Sequence, residues 1–332
     1  MNCSAKFCIP NQKPLLETSR PRAASSVCVG CTDLLRSSLR IASGIAFSLA
    51  WVVVFFSGPG RLAAAELKPE TVQAFNQYLK QAEFRTNSGL EPDGAFLWMD
   101  SLSSADRSAD YARLRNGEIL VHSFAAGKDV PDGMIHDWVG VVFIPGATID
   151  GVLAQMKDYG NYAKIYHPEI IRSKLLDHDG NNYKVSLWLC RKSLVTVVLD
   201  VEENLQYFKI SPLRAYSRSQ STRIAEVENY GTPEEHESPA GTGHGYMWKM
   251  YSYSRFLQDS GGVYLQFEVI ALSRNIPWGL GWLIKPFVTN IPKEALTFTL
   301  ARSRAAIEAA KTALSMQLHK NPGRSDPLAL QF

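Results

Sequence analysis

Polar and aromatic side chains that could orient a bound molecule alternate along two neighbouring segments, 245–258 and 263–273. In strands, Tyr253 and Arg255 would share one face of the first segment, and Glu268 would lie on one face of the second. A guanidinium, a carboxylate and a phenol could hydrogen-bond or polarise a ligand, and ligand pockets mix such groups with apolar ones. Alternation does not decide which face points inward, so a solvent-facing ion pair between Arg255 and Glu268 is the alternative.

Further candidate ligand contacts come from the same segments and from the basic run around Tyr216. Trp248 and Phe267 add apolar surface to the two segments. The basic run consists of Arg214, Arg218 and Arg223. Arg223 and its neighbours could bind an anionic head group at a cavity mouth. The alternative is a solvated strand face whose partners are Glu226 and Glu228.

Two apolar segments near the C-terminus supply the remaining candidates, Trp278 and Ser303. Residues 278–288 could dock on a membrane surface with Trp278 at the interface, or form a short helix against a sheet. A long helix is predicted over 292–320, and its apolar stripe alternates large residues with Ser303 and Ala310. Small residues on a buried helix face leave room for a ligand or for an aromatic side chain of the sheet.

Catalytic and metal-binding signatures are missing from the sequence. The seven histidines are scattered without an H-E-x-x-H pattern, and no G-x-S-x-G elbow is present. Cys190 lies in an apolar segment and is interpreted as an inert core thiol. We therefore predict no catalytic residue, metal or cofactor, although an enzyme that acts through pocket shape and dispersed Arg, Tyr and Trp side chains stays open.

The elements that must position these residues follow one another in a simple order. A helix is predicted from Thr148 after a strand, and a helix-breaking Pro168 precedes a series of strands. The predicted strands are 138–144, 170–177, 183–190, 193–201, 206–211, 219–230, 245–258 and 263–273. Turn clusters are predicted at 179–182 and 201–204, and residues 259–262 predict a hairpin.

The N-terminal part divides into a leader and a helical extension. Charged residues precede the apolar stretch 41–56, and Ala63-Ala64-Ala65 follows it, which is typical of a signal peptide cleaved after Ala65. An uncleaved anchor formed by 41–56 is the alternative, and Met1 need not be the true start. We predict a leader over 1–65, a helical extension over 66–133, the main domain over 134–320 and a tail over 321–332.

Charge and length exclude some classes of protein. The net charge of +3 is too small to indicate nucleic-acid binding, and it arises in residues 1–65, which hold seven Lys and Arg against two acidic residues. The composition, with 45% hydrophobic and 20% charged residues, is that of a globular protein. A domain of this size can fold on its core without disulfides.

The order of strand, helix, antiparallel strands and long C-terminal helix over about 134–318 resembles the START-like superfamily, which has a helix-grip fold. Four segments carry the resemblance: 136–146, 152–168, 216–226 and 272–282. It implies an α+β fold in which a curved antiparallel sheet wraps around the C-terminal helix and encloses a long cavity. Residues 66–133 lie outside the resemblance.

Three functions are compatible with these observations. The first is an exported carrier, periplasmic or secreted, that binds a lipid or other apolar molecule, with Arg223, Tyr253, Arg255 and Glu268 orienting it. The second is an enzyme acting on a polycyclic or aromatic substrate in the same cavity. The third is an envelope scaffold whose core is filled by its own aromatic residues.

Overall fold

The computed structural model describes residues 65–192, 195–275 and 281–320, with side chains of the last segment described from 290 to 316. The predicted leader up to residue 64, including the apolar stretch 41–56, and Trp278 lie outside these residues. None of the helices in the described ranges has the length and apolar character needed to cross a bilayer.

Helices flank a long run of strands. The helices are α1 (Pro69–Ser88), α2 (Ser104–Arg115), α3 (Ile149–Met156), α4 (Tyr162–Ile165) and α5 (Gly281–Lys320), with single 3₁₀ turns at Trp98–Ser101 and Tyr159–Asn161. The strands are β1 (Ile119–Val130), β2 (Gly133–Pro145), β3 (Ile170–Asp179), β4 (Asn182–Lys192), β5 (Thr196–Ser211), β6 (Arg214–Glu228), β7 (His236–Glu237), β8 (Lys249–Asp259) and β9 (Gly262–Arg274).

The strands form one antiparallel sheet in the order β1-β2-β9-β8-β6-β5-β4-β3, with β7 paired to β6. From β3 to β9 the strands pair in sequence order, except that β6 pairs with β8 as well as with the short β7, and β2 pairs with β9. This closure by β2 and β9, together with a long C-terminal helix, is the α+β helix-grip architecture predicted from the sequence.

Helices cover both faces of the central strands, so two faces must be distinguished. The inner face lies under α5, because a Cβ on Gly140 would lie 2.6 Å from Cδ1 of Leu300. Even-numbered residues of β2 point to this face, and the register Gly140↔Phe267 places odd-numbered residues of β9 there too. The outer face carries Ile135 and Leu272, which pack with Phe75 of α1.

Helix α1 forms because its apolar residues recur every three or four positions. Phe75, Leu79 and Ala82 are buried on one stripe, and Pro69 occupies the first turn, where a missing N–H costs nothing. The helix ends at Gly89, close to the predicted Asn87-Ser88-Gly89 boundary. Residues after it also pack on the outer face, where Phe96 and Met99 join a cluster with Val141.

Three sequence predictions of elements were wrong in part. Residues 66–133 are not wholly helical, because β1 extends the sheet beside β2. The predicted turn 201–204 lies inside β5, where a bulge between Glu202 and Glu203 interrupts the pairing without ending the strand. Helix α5 begins at Gly281 rather than at 292, so most of the predicted apolar connector is helical.

We predict that Gly140→Ala destabilises the fold. Its methyl group would overlap Leu300 and Leu296, which are almost fully buried and have little space to move, so a loss of about 1–3 kcal/mol is expected. Gly160→Ala is the control, because no atom lies within 4 Å of its added Cβ. Urea unfolding measures both variants, and equal stabilities would contradict the close approach of α5 to β2.

Candidate functional site

One end of the inner face is filled by four tyrosines, Tyr159, Tyr162, Tyr166 and Tyr207. Tyr159 and Tyr207 share a hydrogen bond of 2.7 Å between their hydroxyls, and both rings are buried. Tyr162 donates to the carbonyl of Met156 at 2.6 Å. Burial raises the pKa of all these phenols, so they stay neutral hydrogen-bonding groups. This end of the space between sheet and helix is therefore occupied by the protein's own side chains.

Ser303, predicted as a ligand contact, belongs to this filled end. Its hydroxyl donates to the carbonyl of Thr299 at 2.9 Å, within its own helix. The hydroxyl of Tyr166 lies 2.9 Å from Ser303 Oγ and is therefore the donor of that bond. The sequence predicted that a small residue here leaves room for either a ligand or an aromatic side chain. In the structure Ser303 accommodates the ring of Tyr166.

A row of serines replaces the tyrosines farther along the inner face. Ser219 and Ser252 are opposite each other on β6 and β8, with 2.7 Å between their hydroxyl oxygens. Ser217 pairs with Ser254 in the next inward position, and Ser221 accepts the N–H of Met250 at 3.0 Å. All five serines are buried. Hydroxyls at five adjacent buried positions give this part of the face hydrogen-bonding capacity that a packed apolar core lacks.

Glu203 lies beside the serine row on β5. It is opposite Ser221 in the register, bonds the hydroxyl of Ser219, and is 4% exposed. Burial is the main cause that raises the pKa of Glu203 to about 7, and the bond with Ser219 opposes that rise. The neighbouring Glu202 points to the outer face, where Lys184 pairs with it at 3.0 Å. An inward carboxyl that titrates near neutrality can donate or accept a hydrogen bond.

Strand β2 adds two buried polar atoms without partners to the inner face. The indole Nε1 of Trp138 is buried and makes no hydrogen bond to any residue that the structure describes. Two residues earlier, His136 Nε2 lies 3.1 Å from Ser273 Oγ, which itself donates to the carbonyl of Arg274 at 3.3 Å. The other ring nitrogen, Nδ1, is buried and has no hydrogen-bond partner among the described residues. Burial lowers the pKa of His136 to about 4, so the ring is neutral.

These polar groups lie on one continuous surface. The register places Trp138, Val269, Ser252, Ser219 and Leu205 side by side across five strands. With about 4.8 Å between strands, β2 and β5 are about 19 Å apart along the sheet. The inner face thus presents a donor at one end, a carboxyl at the other and hydroxyls between them, a span suited to an elongated molecule.

Most of the charged and aromatic residues predicted to orient a ligand lie on the other face. Tyr253, Arg255 and Glu268 point outward beneath the N-terminal extension, and Trp248 packs in the outer cluster around Phe75. As contacts of a ligand under the C-terminal helix these four residues are wrong, because the face that alternation left undecided is the outer one. Phe267 is the predicted contact that does lie on the inner face, partly buried against its core.

The outward carboxylates form a buried cluster with α1. Arg85 donates to Asp137 Oδ2 at 2.9 Å and to Glu268 Oε1 at 2.5 Å, and Tyr78 donates to Asp137 Oδ2 at 2.7 Å. Asp137 and Glu268 are almost fully buried, whereas Arg85 reaches solvent. Burial raises the pKa of both carboxyls, that of Glu268 to about 7, and Arg85 opposes the rise.

Arg255 fixes the turn after α1 instead of pairing with Glu268. Its guanidinium donates to the carbonyls of Thr86 at 2.5 Å, Ala95 at 3.1 Å and Phe96. Burial lowers its pKa to about 10, so it is still a cation at neutral pH. Gly89 lies against it, because a Cβ there would lie 2.5 Å from Nη1. Arg255 is a structural residue of the extension.

The basic run does not act as one group. Arg223 pairs with Asp200 at 2.8 Å and with Glu237, rather than with Glu226 or Glu228. Arg214 lies over the ring of Phe96, with 5.3 Å between guanidinium carbon and ring centroid. Arg218 lies farther along the outer face. An anionic head group would have to displace the acidic partners of Arg223.

One group of possible metal ligands occurs among the described residues. Glu226, Glu228 and His244 bring ligand atoms within 4.8 Å of one another. The carboxylate of Glu226 accepts the N–H groups of His244 at 2.7 Å and Tyr246 at 2.9 Å. Through these two hydrogen bonds Glu226 anchors the long loop between β6 and β8, which gives the cluster a structural role.

Sequence reasoning missed the polar groups that the inner face brings together. Glu203 was assigned to a turn, although Val201, Glu203, Leu205 and Tyr207 alternate in phase as an inward strand face. Asp137 and Arg85 were missed because their segments are 52 residues apart and no local pattern connects them.

We predict that Arg85→Gln destabilises the protein more at pH 8 than at pH 5. The raised pKa of Glu268 means that its contribution to stability is present below about 4.5 and is lost as pH rises through about 7. Arg85 limits that loss, so its removal should cost about 2 kcal/mol at pH 8, less than for a fully buried pair because Arg85 is partly solvated. Urea unfolding at both pH values measures the effect.

Arg113→Gln is the control for this experiment. Arg113 pairs with Asp110 and Glu118 at an exposed site, where an ion pair contributes little. If Arg85→Gln resembled the control at pH 8, the buried cluster would not hold α1 to the sheet.

Comparisons with known proteins find similarity in structure only. No protein-family profile and no curated protein matches the sequence. A STAR-related lipid transfer protein fragment from Xanthomonas axonopodis is 16% identical, with 57% of this chain and 98% of that chain covered and a TM-score of 0.37.

Two other solved structures have similar values. The Zhui aromatase/cyclase from Streptomyces sp. R1128 is 14% identical, with 52% and 94% covered and a TM-score of 0.35. A START superfamily protein from Mycobacterium smegmatis is 11% identical, with 52% and 98% covered and a TM-score of 0.35. By its own topology, from β2 through β9 to α5, the chain has a START-like helix-grip fold, to which α1, α2 and β1 are added.

Proposed function

We propose that this protein binds an elongated, mainly apolar molecule between the inner face and α5, and carries it without covalent chemistry. The observation that supports this most is the set of buried polar groups on that face. Within the described part of the chain, Trp138 Nε1 and His136 Nδ1 have no hydrogen-bond partner, and Glu203 and the serine row continue the polar surface. A ligand with polar atoms at intervals along an apolar body would satisfy them.

The energetics favour an occupied site. Each buried donor or acceptor without a partner costs about 1–3 kcal/mol, so the two on β2 are a reason for the protein to retain a ligand. Phe267, which is partly buried beside the packed core residues Val142 and Leu265, offers apolar surface to the ligand's body. Burying about 300 Å² of apolar ligand surface would contribute roughly 7 kcal/mol before the cost of immobilising the ligand.

The location of the protein is part of the proposal. A carrier for an apolar molecule is needed where that molecule must leave a membrane and cross water. The predicted leader over 1–65 supports export to the periplasm or the medium. The apolar segment 278–288 would be one place for contact with a membrane surface while the ligand is transferred.

Glu203 supports a second function, an enzyme acting on a polycyclic or aromatic substrate. A carboxyl with a pKa near 7 can exchange protons at neutral pH, as general acid–base catalysis requires. In that case Glu203 would move a proton at the substrate, and Ser219 would hold the carboxyl in place. The third possibility, a scaffold, requires that protein side chains fill the whole space between the sheet and α5. The tyrosines fill one end of that space, so a scaffold would need the space beside the serine row to be filled as well.

We predict that the purified protein retains a stoichiometric apolar molecule. The experiment is extraction of the natively purified chain with organic solvent, followed by mass spectrometry of the extract. Ser252→Leu should lower the retained amount at least fivefold, because the larger side chain occupies the middle of the polar row. Tyr251→Leu, the adjacent residue on the outer face, is the control and should retain the ligand.

An empty extract combined with failure to bind an apolar dye such as ANS would contradict the carrier. If an apolar substrate were instead recovered chemically changed after incubation, and Glu203→Gln abolished the change, the enzyme would replace the carrier as the function of the same site.

A further inference from the structure

A second concave site lies on the outer face, away from α5. The cleft has a volume of about 540 Å³ and opens to solvent between Glu83 of α1 and the turn that joins β3 to β4. Its floor is formed by strands β4, β5, β6 and β8. The volume is within the range of small-molecule sites. The cleft is separate from the ligand site proposed on the inner face.

The floor of the cleft is made of two adjacent rows of polar side chains. The register across β4, β5, β6 and β8 gives the first row as Asn182, Gln206, Arg218 and Tyr253. The second row is Lys184, Asn204, Gln220 and Tyr251. Four carboxamides thus surround one guanidinium, and each carboxamide can donate and accept at once. This surface suits a ligand rich in hydroxyl groups rather than an apolar one.

Arg218 is the unsatisfied cation of the cleft. Its Nη2 donates to Asn87 Oδ1 at 2.7 Å, and its buried Nε–H has no hydrogen-bond partner among the residues described. Arg85, Arg191 and Arg223 all pair with carboxylates, whereas Arg218 forms no ion pair with the described residues. A guanidinium that lines a cleft and has no carboxylate partner among the described residues is suited to bind one carboxylate of a ligand.

Acidic residues at the rim restrict the charge of that ligand. Glu83, Asp177 and Asp179 line the cleft opposite Arg218, and Lys184 is already paired with Glu202. A polyanion such as a nucleic acid or a polyphosphate would be repelled by the three carboxylates. A single anionic group can reach Arg218, while hydroxyl groups donate to the rim acids and contact the carboxamides.

Tyrosines provide the flat surface that a ring needs. Tyr251 is half-buried beside Phe75, with 5.9 Å between ring centroids, and it ends the second row. Tyr253 is buried, and its hydroxyl lies 3.4 Å from Glu83 Oε1. We propose that this cleft binds a polyhydroxylated organic acid, such as a hexuronate, with its carboxylate on Arg218 and its hydroxyls on the carboxamide rows.

The test is saturation-transfer NMR on the purified full chain with D-glucuronate as the probe. Glucose, which has the same ring without the carboxylate, is the matched ligand control, and acetate is the control for the charge alone. We expect glucuronate to bind at least tenfold more tightly than either. Arg218→Gln should weaken glucuronate at least tenfold, and the exposed Gln220→Ala should weaken it at least threefold.

Arg172→Gln is the control variant. Arg172 lies over the ring of Trp188 and pairs with Glu235, and it does not line the cleft. Binding unchanged by Arg172→Gln but lost in Arg218→Gln and reduced in Gln220→Ala would support the site. Absence of saturation transfer from glucuronate, equal binding of acetate, or retention of binding by both cleft variants would overturn it.

Discussion

The pairing of β2 with β9 is the interaction on which the rest of the structure depends. The two strands pair over thirteen positions, from Gly133↔Arg274 to Pro145↔Gly262, and they join the start of the domain to its end. Both faces of β2 are covered along almost its whole length. Because strand side chains alternate between the faces, every polar residue on β2 must find a partner on one side or the other.

The two faces satisfy this requirement differently. On the outer face, Asp137 is paired with Arg85 and Tyr78, so polarity serves to attach the N-terminal extension. On the inner face, Trp138 Nε1 and His136 Nδ1 have no hydrogen-bond partner among the described residues, and the polar surface continues to Glu203. The outer face also keeps such atoms, Asp137 Oδ1 among them, but there the extension covers them. What distinguishes the inner face is a continuous row of polar groups beside apolar residues, the combination that ligand pockets have.

Patterns within single elements predicted much of the fold, but contacts between distant elements were harder to predict. The apolar stripe of α1 and the β8–β9 hairpin were readable because their signals are local. Which residues of β8 point inward could not be predicted. A row of side chains facing a cavity and a row buried under an extension have the same mixture of polar and apolar residues. Arg255 was therefore selected as a candidate ligand contact while its face stayed undecided.

Glu203 shows a different limit of sequence reasoning. A Glu-Glu-Asn run is typical of a turn, yet β5 continues through it. The extra residue of the bulge is Thr222 on the partner strand β6, so regular alternation along β5 points Glu203 inward. A polar residue in phase with Leu205 and Tyr207 was the available signal, and turn propensity outweighed it.

A crystal structure of the natively purified protein would test the inner-face site most directly. We expect density for a bound molecule beside the serine row, with polar atoms within hydrogen-bonding distance of Trp138 Nε1 and Glu203. Side chains of α5 filling that space, with both groups bonded to protein atoms, would contradict it.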